Sequence, residues 1–185
     1  MSKRCRIVVY GIIAAVCICI AAALIKLLFF SGLFIPQIKL NDSSHMQVEV
    51  NTNFIDPGAT ARFHFHDYSE NIITESSLNT AKLGTYKIRY TFEEYDKSIV
   101  RTVEVVDTTA PAIKLKGQNP MRVFENEEFK DPGFQASDQY DGDLTKQVKV
   151  DAKALNMKQT GTYEIIYTVN DSSGNTTEIK RIVEV

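Results

Sequence analysis

Five aspartates in the second half of the chain have the chemistry of a metal site. Carboxylate oxygens are ligands that Ca²⁺ prefers, and this ion takes about six to eight oxygens at roughly 2.3 to 2.6 Å. In a two-sheet β-sandwich, the loop after the second strand and the turn before the last strand lie at the same end as the domain's N-terminus. The sequence therefore predicts a calcium site formed by Asp107, Asp138, Asp141, Asp143 and Asp171.

The same aspartates have a simpler alternative use. Asp beside Gly commonly accepts hydrogen bonds from its own backbone and so caps a turn. The spacing also lacks the regular ligand pattern and the bidentate Glu of an EF-hand. If calcium does bind, we expect it to stiffen the joint in front of this domain, because without an ion the crowded like charges repel one another.

Two histidines raise the question of zinc. His64 and His66 flank Phe65, and in a strand they would point to the same side, with Asp67 nearby. A zinc site normally has three or four protein ligands. An exposed strand face is the alternative that the pattern favours.

Catalytic motifs are absent from the sequence. It contains no glycine-rich phosphate loop, nucleophile elbow or His-Glu-x-x-His pattern. The acid pairs Glu93-Glu94 and Glu127-Glu128 are adjacent in sequence and fall in turn regions, whereas hydrolysis by paired carboxylates needs two acids that face each other across a cleft. The sequence predicts that the protein is not an enzyme.

An internal repeat occupies the region after residue 37, and it is visible when the chain is aligned with itself at an offset of 75 residues. The offset grows to 77 and then to 80 toward the end of the repeat, as expected when loops between shared blocks differ in length. The matching blocks are Ile38-Lys39-Leu40 with Ile113-Lys114-Leu115, Asp56-Pro57-Gly58 with Asp131-Pro132-Gly133, Gly84-Thr85-Tyr86 with Gly161-Thr162-Tyr163, and Arg101 with Arg181.

Apolar and polar residues alternate within each repeat, which is the period of half-buried strands. The apolar faces are Tyr86, Ile88 and Tyr90 in the first repeat, and Tyr163, Ile165, Tyr167 and Val169 in the second. In each repeat a Tyr precedes the buried Ile by two residues, as in a tyrosine corner. The pattern predicts about seven short strands per repeat, arranged as an antiparallel immunoglobulin-like sandwich that lacks the antibody Trp and disulfide.

Several motifs carry a resemblance to a known family. They are Ala110-Pro111-Ala112-Ile113, Asp131-Pro132-Gly133, Asp141-Gly142-Asp143-Leu144-Thr145, Gly161-Thr162-Tyr163, Tyr167-Thr168-Val169-Asn170-Asp171 and Gly174-Asn175. Together they resemble the Ig-like domains of bacterial surface proteins, a type also found in an insecticidal crystal protein. The first repeat departs from the acidic motif, since it has Phe63 to Tyr68 in that place. The resemblance implies a spacer or binding role at a cell surface.

The N-terminal segment has the composition of a membrane anchor. Residues 7–25 form an uninterrupted apolar run of 19, about the length that crosses a bilayer as a helix. Lys3, Arg4 and Arg6 precede this run, so the positive-inside rule predicts a cytoplasmic N-terminus and an extracellular C-terminal region. The predicted fold class is therefore all-β, with two tandem immunoglobulin-like antiparallel β-sandwiches preceded by one transmembrane α-helix.

A cleaved signal peptide is the alternative interpretation of this segment, because Ala21-Ala22-Ala23 offers the small residues of a cleavage site. The apolar run continues to Phe30 past these alanines, which favours a retained signal anchor. All three cysteines lie at or before Cys19, so the exported region contains no disulfide. A domain of this size without disulfides is typical of a bacterial protein rather than of a small secreted animal protein.

Three aromatic residues near the anchor are candidates for contact with the membrane. The tether after the anchor is short, so the first module must stand close to the bilayer. We hypothesise that Phe63, Phe65 or Tyr68 contacts the lipid headgroup region, where aromatic side chains are enriched. The alternative is that both Phe residues belong to the sandwich core.

These observations define the predicted organisation and partners. Residues 31–185 carry 17 basic and 23 acidic side chains, and this net negative charge disfavours a nucleic-acid partner. We expect a protein that contacts membrane lipid through residues 7–30 and binds a protein or glycan, or alternatively an accessory subunit of a membrane enzyme or secretion complex. The predicted segments are 1–6 cytoplasmic tail, 7–30 anchor and outer interface, 31–37 tether, 38–106 first module, 107–111 linker and 112–185 second module.

Overall fold

A computed structural model describes residues 3–30 and 35–185. One helix, α1, spans Lys3–Phe30, and the rest of the regular structure is β-strand with three short 3-10 turns. In the part of the chain so described, no helix was found to be long and apolar enough to cross a membrane. The transmembrane part of the fold prediction is therefore not supported by the structure. The start of the predicted tail, residues 1–2, and residues 31–34 of the predicted tether lie outside the described residues.

The chain divides into two compact units, with the main division between Val105 and Val106 and with Glu49–Thr52 and Ala81–Leu83 assigned to the second unit. In the first unit one sheet has the order β1-β3-β4 and the other has the order β2-β7-β6-β5. The strands are β1 (Gln37–Leu40), β2 (His45–Glu49), β3 (Ala59–Phe63), β4 (His66–Asp67), β5 (Ile73–Ser76), β6 (Gly84–Phe92) and β7 (Lys97–Val106).

The second unit repeats this arrangement, with one sheet of order β11-β10-β8 and another of order β12-β13-β14-β9. Seven strands in each repeat is the number that the sequence predicts. The strands are β8 (Ala112–Leu115), β9 (Met121–Arg122), β10 (Phe134–Asp138), β11 (Gly142–Asp143), β12 (Lys149–Asp151), β13 (Thr162–Asn170) and β14 (Thr176–Glu184).

A strand pair in the second unit contradicts the prediction of purely antiparallel sheets. β9 runs parallel to β14, with Val183 opposite Met121. The chain passes from one sheet to the other between β8 and β9, because β8 pairs with β10 in the first sheet and β9 joins the second. Gly117 permits this passage, since its φ is +74° and a Cβ there would lie 2.9 Å from Pro132.

The predicted alternation is confirmed in the central strands. In β6 the buried residues are Ile88, Tyr90 and Phe92, while Lys87 and Arg89 between them are exposed. In β13 the buried residues are Ile165, Tyr167 and Val169. Burial of these side chains between two sheets supplies the main driving force for folding, as each contributes about 1.5 to 3 kcal/mol.

A buried arginine fixes the interior of each unit. Arg101 in β7 is fully buried, and its guanidinium donates to the carboxylate of Asp56 and to the hydroxyl of Tyr90, the latter at 2.9 Å. It also donates to the carbonyls of Asn41, Ser43 and Gly58. Its charge and donors are thereby satisfied, as a buried guanidinium requires.

The second unit contains the same arrangement with small differences. Arg181 in β14 is fully buried, donates to the hydroxyl of Tyr167 at 3.2 Å and lies 3.4 Å from the carboxylate of Asp131. The Tyr167 hydroxyl in turn donates to Asp131 at 2.9 Å. The remaining donors of the Arg181 guanidinium bind the carbonyl oxygens of Lys116, Gln118 and Gly133. The Asp-Pro-Gly motif of each repeat therefore serves the interior of the fold.

The predicted tyrosine corner is confirmed in the second unit. The hydroxyl of Tyr163 donates to the carbonyl oxygen of Gln159 at 2.9 Å, four residues upstream. Gly161 lies under the same ring, because a Cβ at this glycine would be 3.4 Å from the Tyr163 hydroxyl. This close approach favours glycine at position 161, before the corner tyrosine.

The predicted strand through His64 and His66 is wrong. Phe63 pairs with His66, and the two residues between them form a tight turn. His64 has φ +47° and Phe65 has φ +66°, the positive values needed at both central positions of a type I′ hairpin turn. The histidines therefore do not share a strand face, and Phe65 is 90% exposed at the tip.

Candidate metal centre

Three of the five predicted aspartates converge in the second unit. One carboxylate oxygen from each of Asp107, Asp138 and Asp171 lies within 4.8 Å of the others. These three residues are only 8%, 9% and 9% exposed. Each comes from a different segment, since Asp107 directly follows β7, Asp138 ends β10 and Asp171 directly follows β13.

Strand pairing brings these segments together. β8 begins at Ala112 and pairs antiparallel with β10, so Ala112 lies opposite Ser137. The residues before β8 are thus near the end of β10, where Asp138 stands. Asp171 begins the turn between β13 and β14, which is the turn that strand parity places at this end.

Two of the three aspartates also organise their own loops. Asp138 Oδ1 accepts hydrogen bonds from the backbone N–H of Tyr140 at 2.7 Å and of Asp141 at 3.0 Å. Asp171 Oδ1 accepts from the N–H groups of Ser173 at 2.9 Å and Asn175 at 2.7 Å. Turn capping, the alternative that the sequence left open, is therefore present at both positions.

The other oxygen of Asp138 has no such partner. Among the residues that the structure describes, Asp138 Oδ2 is the only fully buried side-chain oxygen or nitrogen without a hydrogen bond. Buried carboxylate oxygens are nearly always paired, because desolvating them without a partner costs free energy.

The electrostatics of the cluster are unfavourable without a cation. None of the ion pairs found among the described residues includes Asp107, Asp138 or Asp171. Burial raises the pKa of the Asp107 carboxyl, and the nearby carboxylates of Asp138 and Asp171 raise it further. Hydrogen bonds from Ser173 and Thr109 act in the opposite direction.

The remaining two predicted ligands have other roles. Asp141 accepts from the N–H and the hydroxyl of Ser172, both at 2.7 Å, and so ties the β10–β11 loop to the β13–β14 turn. Asp143 is exposed, and it accepts from the N–H of Thr145 at 2.9 Å. Hydrogen bonds from Thr145 lower the pKa of Asp143. The structure places neither carboxylate in the group of three.

Two polar residues that the sequence did not identify as part of the site hold the cluster in place. The side-chain amide of Asn175 donates to Asp171 Oδ2 at 2.8 Å and to the carbonyl of Asp107 at 3.1 Å. The hydroxyl of Ser173 donates to Asp107 Oδ2 at 3.0 Å. Gly174-Asn175 is one of the motifs that carry the family resemblance, but its position in the sequence does not reveal these partners.

The histidine pair is not part of any comparable group. Over residues 3–30 and 35–185, the three aspartates are the only cluster of three or more side chains of metal-binding type. The His66 ring nitrogen Nδ1 lies 2.9 Å from the carbonyl of His64, and the His64 ring stacks on Phe63 at 3.8 Å. These rings contribute to an aromatic hairpin in the first unit.

Comparison with known proteins identifies both repeats. A family model described as "Bacterial surface protein, Ig-like domain" matches residues 38–105 and again residues 113–185. The pesticidal crystal protein Cry22Aa of Bacillus thuringiensis is 29% identical over 116 residues, which is 60% of this chain and 16% of that protein. An uncharacterized 81.3 kDa protein of Acholeplasma phage L2 is 33% identical over 111 residues, or 55% of this chain and 15% of the relative.

The chain thus spans less than a fifth of the length of these curated relatives. Among solved structures, the lipoprotein BT2262 of Bacteroides thetaiotaomicron aligns over 80% of both chains, with 17% identity and a TM-score of 0.38. The M60 catalytic domain with CBM51 domains from Clostridium perfringens ZmpB aligns over 82% of this chain and 31% of that one, with 12% identity and a TM-score of 0.47.

Proposed function

Because the chain belongs to the bacterial surface protein Ig-like domain family, with two copies over residues 38–105 and 113–185, we propose that it is a non-enzymatic protein of a bacterial cell surface. Its two sandwiches form a spacer that presents loops to a protein or glycan outside the cell. The observation that carries this proposal is the duplication of one self-contained fold, each copy having its own buried arginine network.

The buried arginine network of each unit supports the proposal of a surface module. Each unit satisfies its central guanidinium with groups from its own repeat, Asp56 and Tyr90 in the first and Asp131 and Tyr167 in the second. The exported region has no cysteine, so its stability does not depend on disulfide formation outside the cell. A module of this kind folds on its hydrophobic core alone.

The loops are the natural binding surface of such a module. Sandwich strands are held in register, as in the nine-residue pairing of β13 with β14, whereas connecting loops tolerate change in sequence. The β3–β4 hairpin carries an exposed Phe65, and the equivalent β10–β11 hairpin carries acidic residues. We therefore expect partner contacts at these hairpins.

Anchoring in the cell membrane is the second part of the proposal, and its support is the sequence. The apolar run of residues 7–25 has the length of a bilayer span, and the three basic residues before it favour a cytoplasmic N-terminus. On this proposal, both sandwiches lie outside the membrane and residues 7–30 contact lipid.

Protease treatment of intact cells tests the topology. A chain with a C-terminal epitope tag should lose the tag when protease is added outside, while a cytoplasmic marker protein survives. A tag that stays protected until the cells are opened would show that the orientation is wrong. The mass of the purified chain decides between a retained anchor and cleavage after Ala21-Ala22-Ala23, since cleavage removes more than 20 residues.

Purification in mild detergent tests the role. A spacer or binding module should be recovered without a stoichiometric membrane protein. Recovery of one membrane enzyme or secretion component at a constant ratio would support the accessory-subunit alternative instead. The matched comparison is the chain carrying Arg181→Met, which we expect to destabilise the second unit and so to weaken the binding of any partner that this unit holds.

A further inference from the structure

We propose that Asp107, Asp138 and Asp171 bind one Ca²⁺ ion in the second unit. This inference goes beyond the spacer role and does not depend on it, because it concerns a site within one fold unit. It also narrows the five ligands suggested by the sequence to three carboxylates that the structure brings together.

The first argument is the charge of the cluster. Three carboxylates with oxygens within 4.8 Å of one another are each about nine-tenths buried, and none takes part in an ion pair found among the described residues. Like charges at this spacing repel strongly when they are partly removed from water. A divalent cation between them converts that repulsion into attraction.

The second argument is the unpaired oxygen of Asp138. Its Oδ1 already accepts two backbone N–H groups, so the turn is satisfied by that atom alone. Its Oδ2 is buried and has no hydrogen-bond donor. Turn capping explains the first oxygen and leaves the second without a partner, which a bound cation would supply.

The third argument concerns which cation fits. The cluster offers oxygen atoms only, without the nitrogen or sulfur ligands that Zn²⁺ and Cu²⁺ favour. The three carboxylates come from three separate segments, and Ca²⁺ accepts such irregular geometry, with waters completing its shell. Mg²⁺ demands a nearly ideal octahedron and gives up its waters reluctantly. The chemistry therefore favours calcium.

Calorimetry on the purified full chain in detergent tests the site directly. After treatment with a chelator, titration with CaCl₂ should give one binding event per chain, and MgCl₂ should give a much weaker one. In a melting experiment, millimolar Ca²⁺ should raise the transition of the second unit by about 5 °C or more and leave that of the first unit unchanged.

Matched variants assign the response to the cluster. Asp138→Asn keeps the shape of the side chain and its Oδ1 acceptor but removes the charge, so it should abolish the calcium response. Asp143→Asn removes a charge from the same hairpin outside the cluster, and it should respond to calcium as the wild type does. In chelator, Asp138→Asn should melt at or above the wild-type temperature, because it relieves repulsion.

The results that overturn the proposal are equally definite. Absence of calcium binding by the wild-type chain at millimolar concentration overturns it, and so does an unchanged calcium response in Asp138→Asn. If Asp138→Asn does not fold, Asp107→Asn replaces it, because Asp107 accepts only a 3.3 Å bond from Thr109 and a 3.0 Å bond from Ser173. If the chain does not bind calcium, the surface-module proposal is unaffected, because that proposal is tested separately by protease treatment of intact cells and by purification in detergent.

Discussion

The β3–β4 hairpin of the first unit and the β10–β11 hairpin of the second share hydrogen bonds at their bases but differ in the length and the chemistry of their turns. In both, a buried Ala accepts a hydrogen bond at its carbonyl, from Tyr68 N–H at 2.8 Å in one and Leu144 N–H at 3.0 Å in the other. In both, the N–H of that Ala donates to a hydroxyl, that of Ser69 or Thr145.

The side chains at the end of the first strand then diverge. Phe63 occupies the position where the second unit has Asp138, because Phe63 pairs across the hairpin with His66 and Asp138 pairs with Gly142. In the first unit this end is filled by rings, with Phe63 against Tyr95 at 4.7 Å and Tyr68 against Phe92 at 5.4 Å. In the second unit it is filled by carboxylates.

The comparison shows that the two units share the residues of their interior, whereas the residues at the ends of their hairpins differ. The arginine networks and the capping aspartates Asp67 and Asp143 recur at equivalent positions, because the fold needs them in both copies. The residues at the hairpin ends differ, since Asp138 caps its own turn whereas Phe63 packs against Tyr95, and connecting loops tolerate such change. If this is correct, matched substitutions in the interior should have equal effects in the two units, and tip substitutions should not.

The largest effect is expected for the buried arginines. Arg101→Met should destabilise the first unit and Arg181→Met the second, each by about 3 kcal/mol, because several carbonyl oxygens and a partly exposed Asp lose their partner. Calorimetry with the two transitions resolved is the measurement. Arg122→Ala is the control, since its ion pair with Glu184 is exposed and should contribute less than about 1 kcal/mol. Unequal losses in the two units would refute the common interior.

A smaller and pH-dependent effect is expected for the network tyrosines. Tyr90→Phe and Tyr167→Phe should each cost about 1 to 2 kcal/mol, because the carboxylate of Asp56 or Asp131 loses a buried donor.

The dependence of stability on alkaline pH tests whether these two tyrosines act as buried hydrogen-bond donors. Burial raises the pKa of both tyrosines, and the neighbouring carboxylates raise it further. The unfolded chain releases these protons near pH 10 and the folded chain does not, so stability should fall as pH rises above about 10. Melts between pH 8 and 11 should show this fall in the wild type and less of it in the Phe variants. A slope unchanged in both variants would contradict the assignment.

The capping aspartates should give a smaller, matched effect. Hydrogen bonds from Ser69 lower the pKa of Asp67, and hydrogen bonds from Thr145 lower that of Asp143. A lowered carboxyl pKa contributes stability above about pH 4 that is lost as pH falls further. Asp67→Asn and Asp143→Asn should therefore reduce the acid dependence of their own units by similar amounts, as measured by melts between pH 2 and 6. An effect in one unit only would break the equivalence of the two hairpins.

The smallest effect on stability is expected for Phe65→Ser, because this side chain is 90% exposed. The alternative that both Phe residues belong to the core is wrong for Phe65. Its hairpin lies at the end of the sheet where β1 begins, since Gln37 pairs with Arg62. We expect Phe65→Ser to weaken liposome sedimentation of residues 37–185 without moving the melting transition. Sedimentation equal to that of wild type would exclude contact with the bilayer, and Tyr68→Ser tests the neighbouring ring.

The sequence by itself determined the repeat, the strand faces and the class of fold. Alternation at Tyr86, Ile88 and Tyr90 fixes which side of a strand is buried, because side chains point to opposite faces with a period of two. The absence of cysteine beyond Cys19 is likewise a property of the sequence alone. These features depend only on the local sequence, so they can be predicted without knowing which segments contact one another in the fold.

Only the tertiary structure decided which residues meet. Arg101 and Arg181 recur in the sequence, but their burial follows from contacts with residues more than 40 positions away. The positive φ values at His64 and Phe65 replace an apparent strand with a turn, since hairpin register overrides local alternation. Of five spaced aspartates, three converge, because strand pairing sets the distance between loops while sequence spacing does not.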